Sequence, residues 1–131
     1  MRILLISNDS VLQAIVRKFD LNSDTSLLLY DKNPNPLEVA SYCFSQKPSV
    51  LIVDDDFLTP NTVQVLESIR KVNVSMKIIF VTSDASIELG KKISPLGIFY
   101  YAIKPIEESD FTELLESVLK TKSNQFNNPL N

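Results

Sequence analysis

Four short apolar runs, Ile3 to Ile6, Val50 to Val53, Ile78 to Val81 and Ile98 to Ile103, are each followed at once by polar or turn residues. Unbroken runs of this length fit strands buried on both faces, as in a parallel sheet, better than the alternating strands of a one-sided sheet. A fifth, weaker run, Leu27 to Tyr30, suits an edge. Between the runs apolar positions recur at helical spacing: Val11, Leu12, Ile15, Val16 and Phe19; Val39, Ala40, Cys43 and Phe44; Val63, Leu66 and Ile69; and finally Phe111, Leu114, Leu115 and Val118. Strand and helix alternate along the chain.

Helix starts carry their own chemistry. Asn35-Pro36 and Thr59-Pro60 each place a capping side chain before a proline, which at the first helical position loses nothing by lacking an N–H. Asp84 is expected to open a helix toward Ile93, weakened by Gly90. The last helix is expected from Ser109 or Asp110 to Lys120, with acids in its first turn and Lys120 and Lys122 near its end, as the helix dipole favours. This makes residues 1–122 one domain and residues 123–131, Asn-rich with a proline, a frayed tail.

Strand and helix units joined by short loops predict an α/β fold: a doubly wound five-stranded parallel sheet with helices on both faces. In such sheets the site lies at the carboxyl ends of the strands. Those ends are Ser7, Asn8 and Asp9; Asp54, Asp55 and Asp56; Thr82 and Ser83; and Lys104-Pro105.

Composition narrows the chemistry. At 131 residues the chain has room for one domain. A net charge of -3, with bases in nothing longer than pairs such as Arg17-Lys18, gives no electrostatic footprint for nucleic acid. With one cysteine and no histidine, neither a disulfide, a Cys/His zinc cage nor a histidine-based triad can be built. Cys43 reads as a core residue. Two glycines, Gly90 and Gly97, exclude a P-loop or a dinucleotide fingerprint. The apolar start is too short for a leader or a membrane span, so a cytoplasmic protein is expected.

An acidic, a hydroxyl and a lysine strand end converging on one crevice suit a phosphoryl group held on a carboxylate: aspartate as nucleophile, lysine pairing with the charge, threonine hydroxyl on a phosphoryl oxygen. The segment Lys47 to Asp54, followed without a gap by Leu66, Ile69 and Arg70, then Lys77 to Ser83, then Gly97, Tyr101 and Lys104-Pro105, resembles the response regulator receiver domain of two-component signalling over residues 2 to about 121. The resemblance implies a flavodoxin-like three-layer (βα)5 fold with strand order 2-1-3-4-5. It also implies a phosphoacceptor at Asp54, a switch hydroxyl at Thr82, a charge partner at Lys104 and a cis Lys104-Pro105 peptide. Tyr101 is either the aromatic that changes burial on activation or a packing residue.

Two regions depart from that pattern. Where the family ends its first strand in a pair of acids that hold Mg²⁺, this chain has Ser7-Asn8, with Asp9 one place further on, leaving Asn8, Asp54 and Asp56 as a poor donor set for a hard cation. The loop after Asp54 carries Leu58 and Thr62 where the family has proline and glycine, with Pro60 displaced. The expected function is a stand-alone bacterial receiver, not an enzyme. It would accept a phosphoryl group on Asp54 from a sensor histidine kinase or phosphotransfer protein, and signal to an effector protein through the fourth helix, fifth strand and last helix, as monomer or homodimer. The alternative is a pseudo-receiver that binds proteins without Mg²⁺-dependent phosphorylation. A flavodoxin-like small-molecule binder or enzyme is disfavoured because no cofactor loop is present.

Overall fold

In the computed structural model, which describes residues 1–19 and 24–127 and only the backbone over 120–127, the apolar runs become five strands. They are β1 (Arg2–Ile6), β2 (Ser26–Tyr30), β3 (Val50–Asp54), β4 (Lys77–Thr82) and β5 (Tyr100–Ile103). All pair in parallel in the order β2-β1-β3-β4-β5, so β3 is central and β2 and β5 are the edges. This is the predicted doubly wound, three-layer α/β architecture.

Alternation along each strand divides the core in two. Leu4, Ile6, Leu51, Val53, Ile78 and Phe80 face α2 (Pro36–Gln46), α4 (Thr62–Val72) and α5 (Ile87–Ile93). Ile3, Leu5, Val50, Ile52, Ile79 and Val81 face α1 (Ser10–Lys18) and α6 (Glu108–Asn127). The period-2 geometry of a strand thus assigns each strand-end residue to one layer in advance. Cys43 sits in the first layer, 3 % exposed, and burial pushes its thiol up to about 11.

The helix starts are partly as predicted. Asn35 caps α2, its Oδ1 accepting from the N–H groups of Leu37 and Glu38, with Pro36 in the first turn. Thr59-Pro60 does not open a helix. Asp54 instead caps a single turn, α3 (Asp55–Leu58), the Thr59 hydroxyl folds back on the Asp55 carbonyl, the Thr59-Pro60 peptide is cis, and α4 starts later at Thr62. Asp84 likewise lies outside its helix: Ser86 caps α5, its hydroxyl accepting from Leu89. The α6 backbone continues to Asn127, past the predicted end at Lys120; residues 128–131 of the expected tail lie outside the described residues. Among the described residues no helix is long and apolar enough to cross a membrane.

Candidate functional site

Adjacent acids at the end of β3 point to opposite layers. Asp54 shares the side of Ile52 and meets the ends of β1 and β5 on the α1 face; Asp55 shares the side of Val53 and meets β4 and α4.

On the Asp54 side the Lys104 ammonium lies 3.0 Å from both Asp54 oxygens, 2.9 Å from Asp9 Oδ2 and 3.0 Å from Asp56 Oδ2. Lys104 reaches them because β5 ends at Ile103 beside Thr82, and the Lys104 N–H then bonds the Thr82 carbonyl. The Lys104-Pro105 peptide is cis, as the family resemblance implies. Ser7, wholly buried, donates its hydroxyl to Asp54 Oδ2 at 2.7 Å and accepts the Asp9 N–H. Asp9 caps α1 through the N–H groups of Val11 and Leu12 and turns its other oxygen to Lys104.

The Lys104 ammonium and the carboxylates of Asp9 and Asp56 shift each other's titration. Burial disfavours the Lys104 charge, but hydrogen bonds to Asp9, Asp54 and Asp56 outweigh it and raise its pKa. The ammonium, with help from the α1 N–H groups, holds Asp9 below the usual carboxylate range. Asp56 is pushed up by desolvation, yet Ser83 and Lys104 together bring it below that range. Charge pairing in a partly dry site is strong enough to do this.

On the other side Asp55, 5 % exposed, pairs with no ammonium among the described residues. Its Oδ2 accepts the Thr82 hydroxyl at 2.7 Å, and its Oδ1 accepts Thr62 at 2.7 Å and Thr59 at 3.3 Å. Thr82, wholly buried, is thus bonded to Asp55, and its oxygen also accepts the Asp84 N–H. Tyr101 lies in the same layer, its ring 5.0 Å from Phe80 and its buried hydroxyl without a hydrogen-bond partner. Desolvation, then the charges of Asp55 and Asp84, raise its pKa.

Of the residues singled out in the sequence, Asp54, Asp56, Asp9 and Lys104 come together. Thr82 and Tyr101 sit in the opposite layer, and Asn8 is exposed at the rim. Sequence reading missed Asp55 as Thr82's partner, Ser7 as a donor to Asp54, and Ser83, whose hydroxyl donates to Asp56 Oδ1 at 2.8 Å. The signal for Asp55 was there: one step beyond a buried strand's last residue, its side chain must face the other layer.

The fold class implies Mg²⁺ among these acids, and the donor set does not fit it as arranged. Every carboxylate oxygen of Asp9, Asp54 and Asp56 already accepts a hydrogen bond or an ion pair, and Ser7 stands where a charged ligand would be needed. Among the described residues no group of three acidic, histidine or cysteine side chains is arranged to hold a metal ion.

No protein-family profile and no curated protein matches the sequence. Solved structures do. A CheY-like response regulator receiver domain protein from Methanospirillum hungatei JF-1 superposes with a TM-score of 0.73 at 19% identity, covering 95% of this chain and 97% of that one. This chain has the fold of a response regulator receiver domain. A LuxR-family DNA-binding response regulator from Staphylococcus aureus gives 0.71 at 23% identity over 89% of this chain and 97% of that chain. A LuxR-family two-component response regulator from Aurantimonas sp. SI85-9A1 gives 0.72 at 15% identity over 92% and 85%. In this chain Asp54 and Thr82 are the last residues of β3 and β4, and Lys104 follows the last residue of β5.

Proposed function

We propose that this receiver-fold chain is a signalling module that works by binding an effector protein, with its acidic centre balanced by Lys104 in place of a divalent cation. The observation that carries this is Asp54 itself. It is 1 % exposed, and both its oxygens are taken, by Lys104 and by Ser7 and the Asp56 N–H. A nucleophilic carboxylate needs an accessible oxygen and a cation free to follow the incoming charge. Here the oxygens are covered, and the one ammonium is shared among three acids. Thr82, the hydroxyl that would meet a phosphoryl oxygen, is bonded to Asp55.

A second reading is phosphoryl acceptance on Asp54 from a sensor histidine kinase or phosphotransfer protein, favoured by the close approach of Lys104 to both Asp54 oxygens. In it an Asp54 oxygen would attack phosphorus, the donor's bond would break toward its leaving group, and Lys104 would pair with the new acyl phosphate. Intact-mass spectrometry after incubation with acetyl phosphate, with and without MgCl₂, on wild type and Asp54→Ala, separates the two. The binding-module reading expects no adduct on the wild type. A gain of one phosphoryl group that disappears in Asp54→Ala would replace it with the second reading.

A further inference from the structure

The outer edge of the sheet carries an unusual combination. β5 is the last strand in the order, so among the described residues one side of its backbone has no strand partner. It is flanked by exposed apolar groups, Phe99 at 40%, Tyr100 at 48% and Ile103 at 47%. Unpaired strand edges recruit further strands unless something blocks them. Here a groove of about 420 Å³ runs between the four consecutive β5 residues and the start of α6, floored by Phe111 and Leu114. A second cavity, about 510 Å³, lies beside Phe99 and shares Tyr100, Asp110 and Leu114 with the first.

The charged side chains that line the two grooves have one sign. From Glu107 to Leu119 the chain has five acids and no base. Glu108 turns to α1 and pairs with Lys18 at 3.4 Å, while Glu107 and Asp110 line the first groove and Asp110 and Glu113 the second. Neither groove has a lysine or arginine in its lining. Glu107 and Asp110 are close enough to compete for a proton, and Glu107 with Glu113 raises the pKa of Asp110. Three like charges thus line the two grooves; the nearby ammonium of Lys77 lies over the Phe99 ring, 4.8 Å from its centroid, at the β4 side of this edge.

We infer that the β5–α6 groove takes an extended segment of a partner protein in which basic residues alternate with apolar ones. Its backbone would add to the free side of β5, its apolar side chains would enter between Tyr100 and Leu114, and its lysines or arginines would meet Glu107, Asp110 and Glu113. Strand addition supplies main-chain hydrogen bonds, while the alternate side chains select the sequence. Acids along the rim favour a basic partner and raise the rate at which it arrives. A second copy of this chain offering the same edge would bring the same acids face to face.

This inference rests on the protein-binding reading and names the partner's chemistry. The probe is a short synthetic peptide alternating lysine with valine, with a glutamate-valine counterpart, titrated into the full chain while backbone amide resonances are followed. The expected result is saturable binding of the basic peptide with shifts confined to Phe99–Ile103 and Glu107–Ser117. Reversing Asp110 and Glu113 to lysine is expected to weaken it by about tenfold or more, consistent with loss of paired charges. These two residues are exposed, so the variant is expected to keep the wild-type circular dichroism. Equal binding of the acidic peptide, shifts mapping elsewhere, or indifference to the charge reversal would overturn the inference. So would sedimentation showing that the wild type dimerises through this edge. Failure here with no phosphoryl adduct on Asp54 would leave the proposed function standing and remove only this partner.

Discussion

The Thr82 hydroxyl donates to Asp55 Oδ2 at 2.7 Å, across the sheet from the Asp54 carboxylate that Lys104 holds. Two neighbouring acids therefore run two separate networks, one fed by hydroxyls and one by an ammonium. Asp55 ties the end of β4 to the start of α4 through Thr82 and Thr62, both buried. Removing it strands those hydroxyls in a dry interior. Asp55→Ala is expected to lower unfolding free energy in urea by about 2 to 3 kcal/mol, and Asp55→Asn by less, since an amide oxygen still accepts one hydroxyl.

Lys104 and its acids fix the pH profile of stability. Asp9 and Asp56 titrate below their ordinary value of 3.8 in the folded chain. Their contribution is therefore complete above that value and is lost as pH falls through their folded values. Lys104 is raised above 10.5, so its contribution is complete below that value and is lost only as pH rises beyond it. Urea midpoints are expected to be flat from about pH 5 to 9 and to fall on the acid side. In Lys104→Met three carboxylates face each other without a cation. The acid arm is then expected to invert, with stability rising as pH falls from 7 toward about 4.

Arg70 is a clamp that pairs with no acid among the described residues. Its guanidinium donates to the carbonyls of Leu96 at 2.8 Å and Gly97 at 2.7 Å, and to that of Met76, joining the end of α4 to the turn before β5. A lysine ammonium cannot span these acceptors. Arg70→Lys is expected to cost about 2 kcal/mol in urea unfolding and to speed amide exchange of the Leu96 and Gly97 turn.

Cys43 reports on opening of the α2–α4 layer. Because the thiol is buried and its pKa is pushed up to about 11, iodoacetamide at neutral pH is expected to label it only at the rate at which that layer unfolds. Labelling in native buffer as fast as in urea would show the layer open in the folded chain.

The strands and their polar ends were legible because each is an apolar run stopped by an acid, a hydroxyl or a lysine. Parallel pairing brings such ends together whatever lies between them. Asp54, Asp56 and Lys104 came together for that reason. What the sequence did not disclose was the single turn Asp55–Leu58: four residues are too few for helical periodicity, and Thr59-Pro60 has the composition of a helix start. The pairing of Asp9 with Lys104 was also hidden. It spans the sheet from α1 to β5, and no local pattern reports a contact between residues so far apart in sequence.

In the proposed function Lys104 is the cation of this site. The most direct test is a Mg²⁺ titration of the wild type and of Lys104→Met, following the backbone amides of Ser7, Asp9, Asp54 and Asp56. No saturable shift is expected in the wild type across the millimolar range, and saturable binding is expected once the ammonium is gone and Asp9, Asp54 and Asp56 are left without it. Wild-type saturation at the same Mg²⁺ concentrations as Lys104→Met would contradict this role for Lys104.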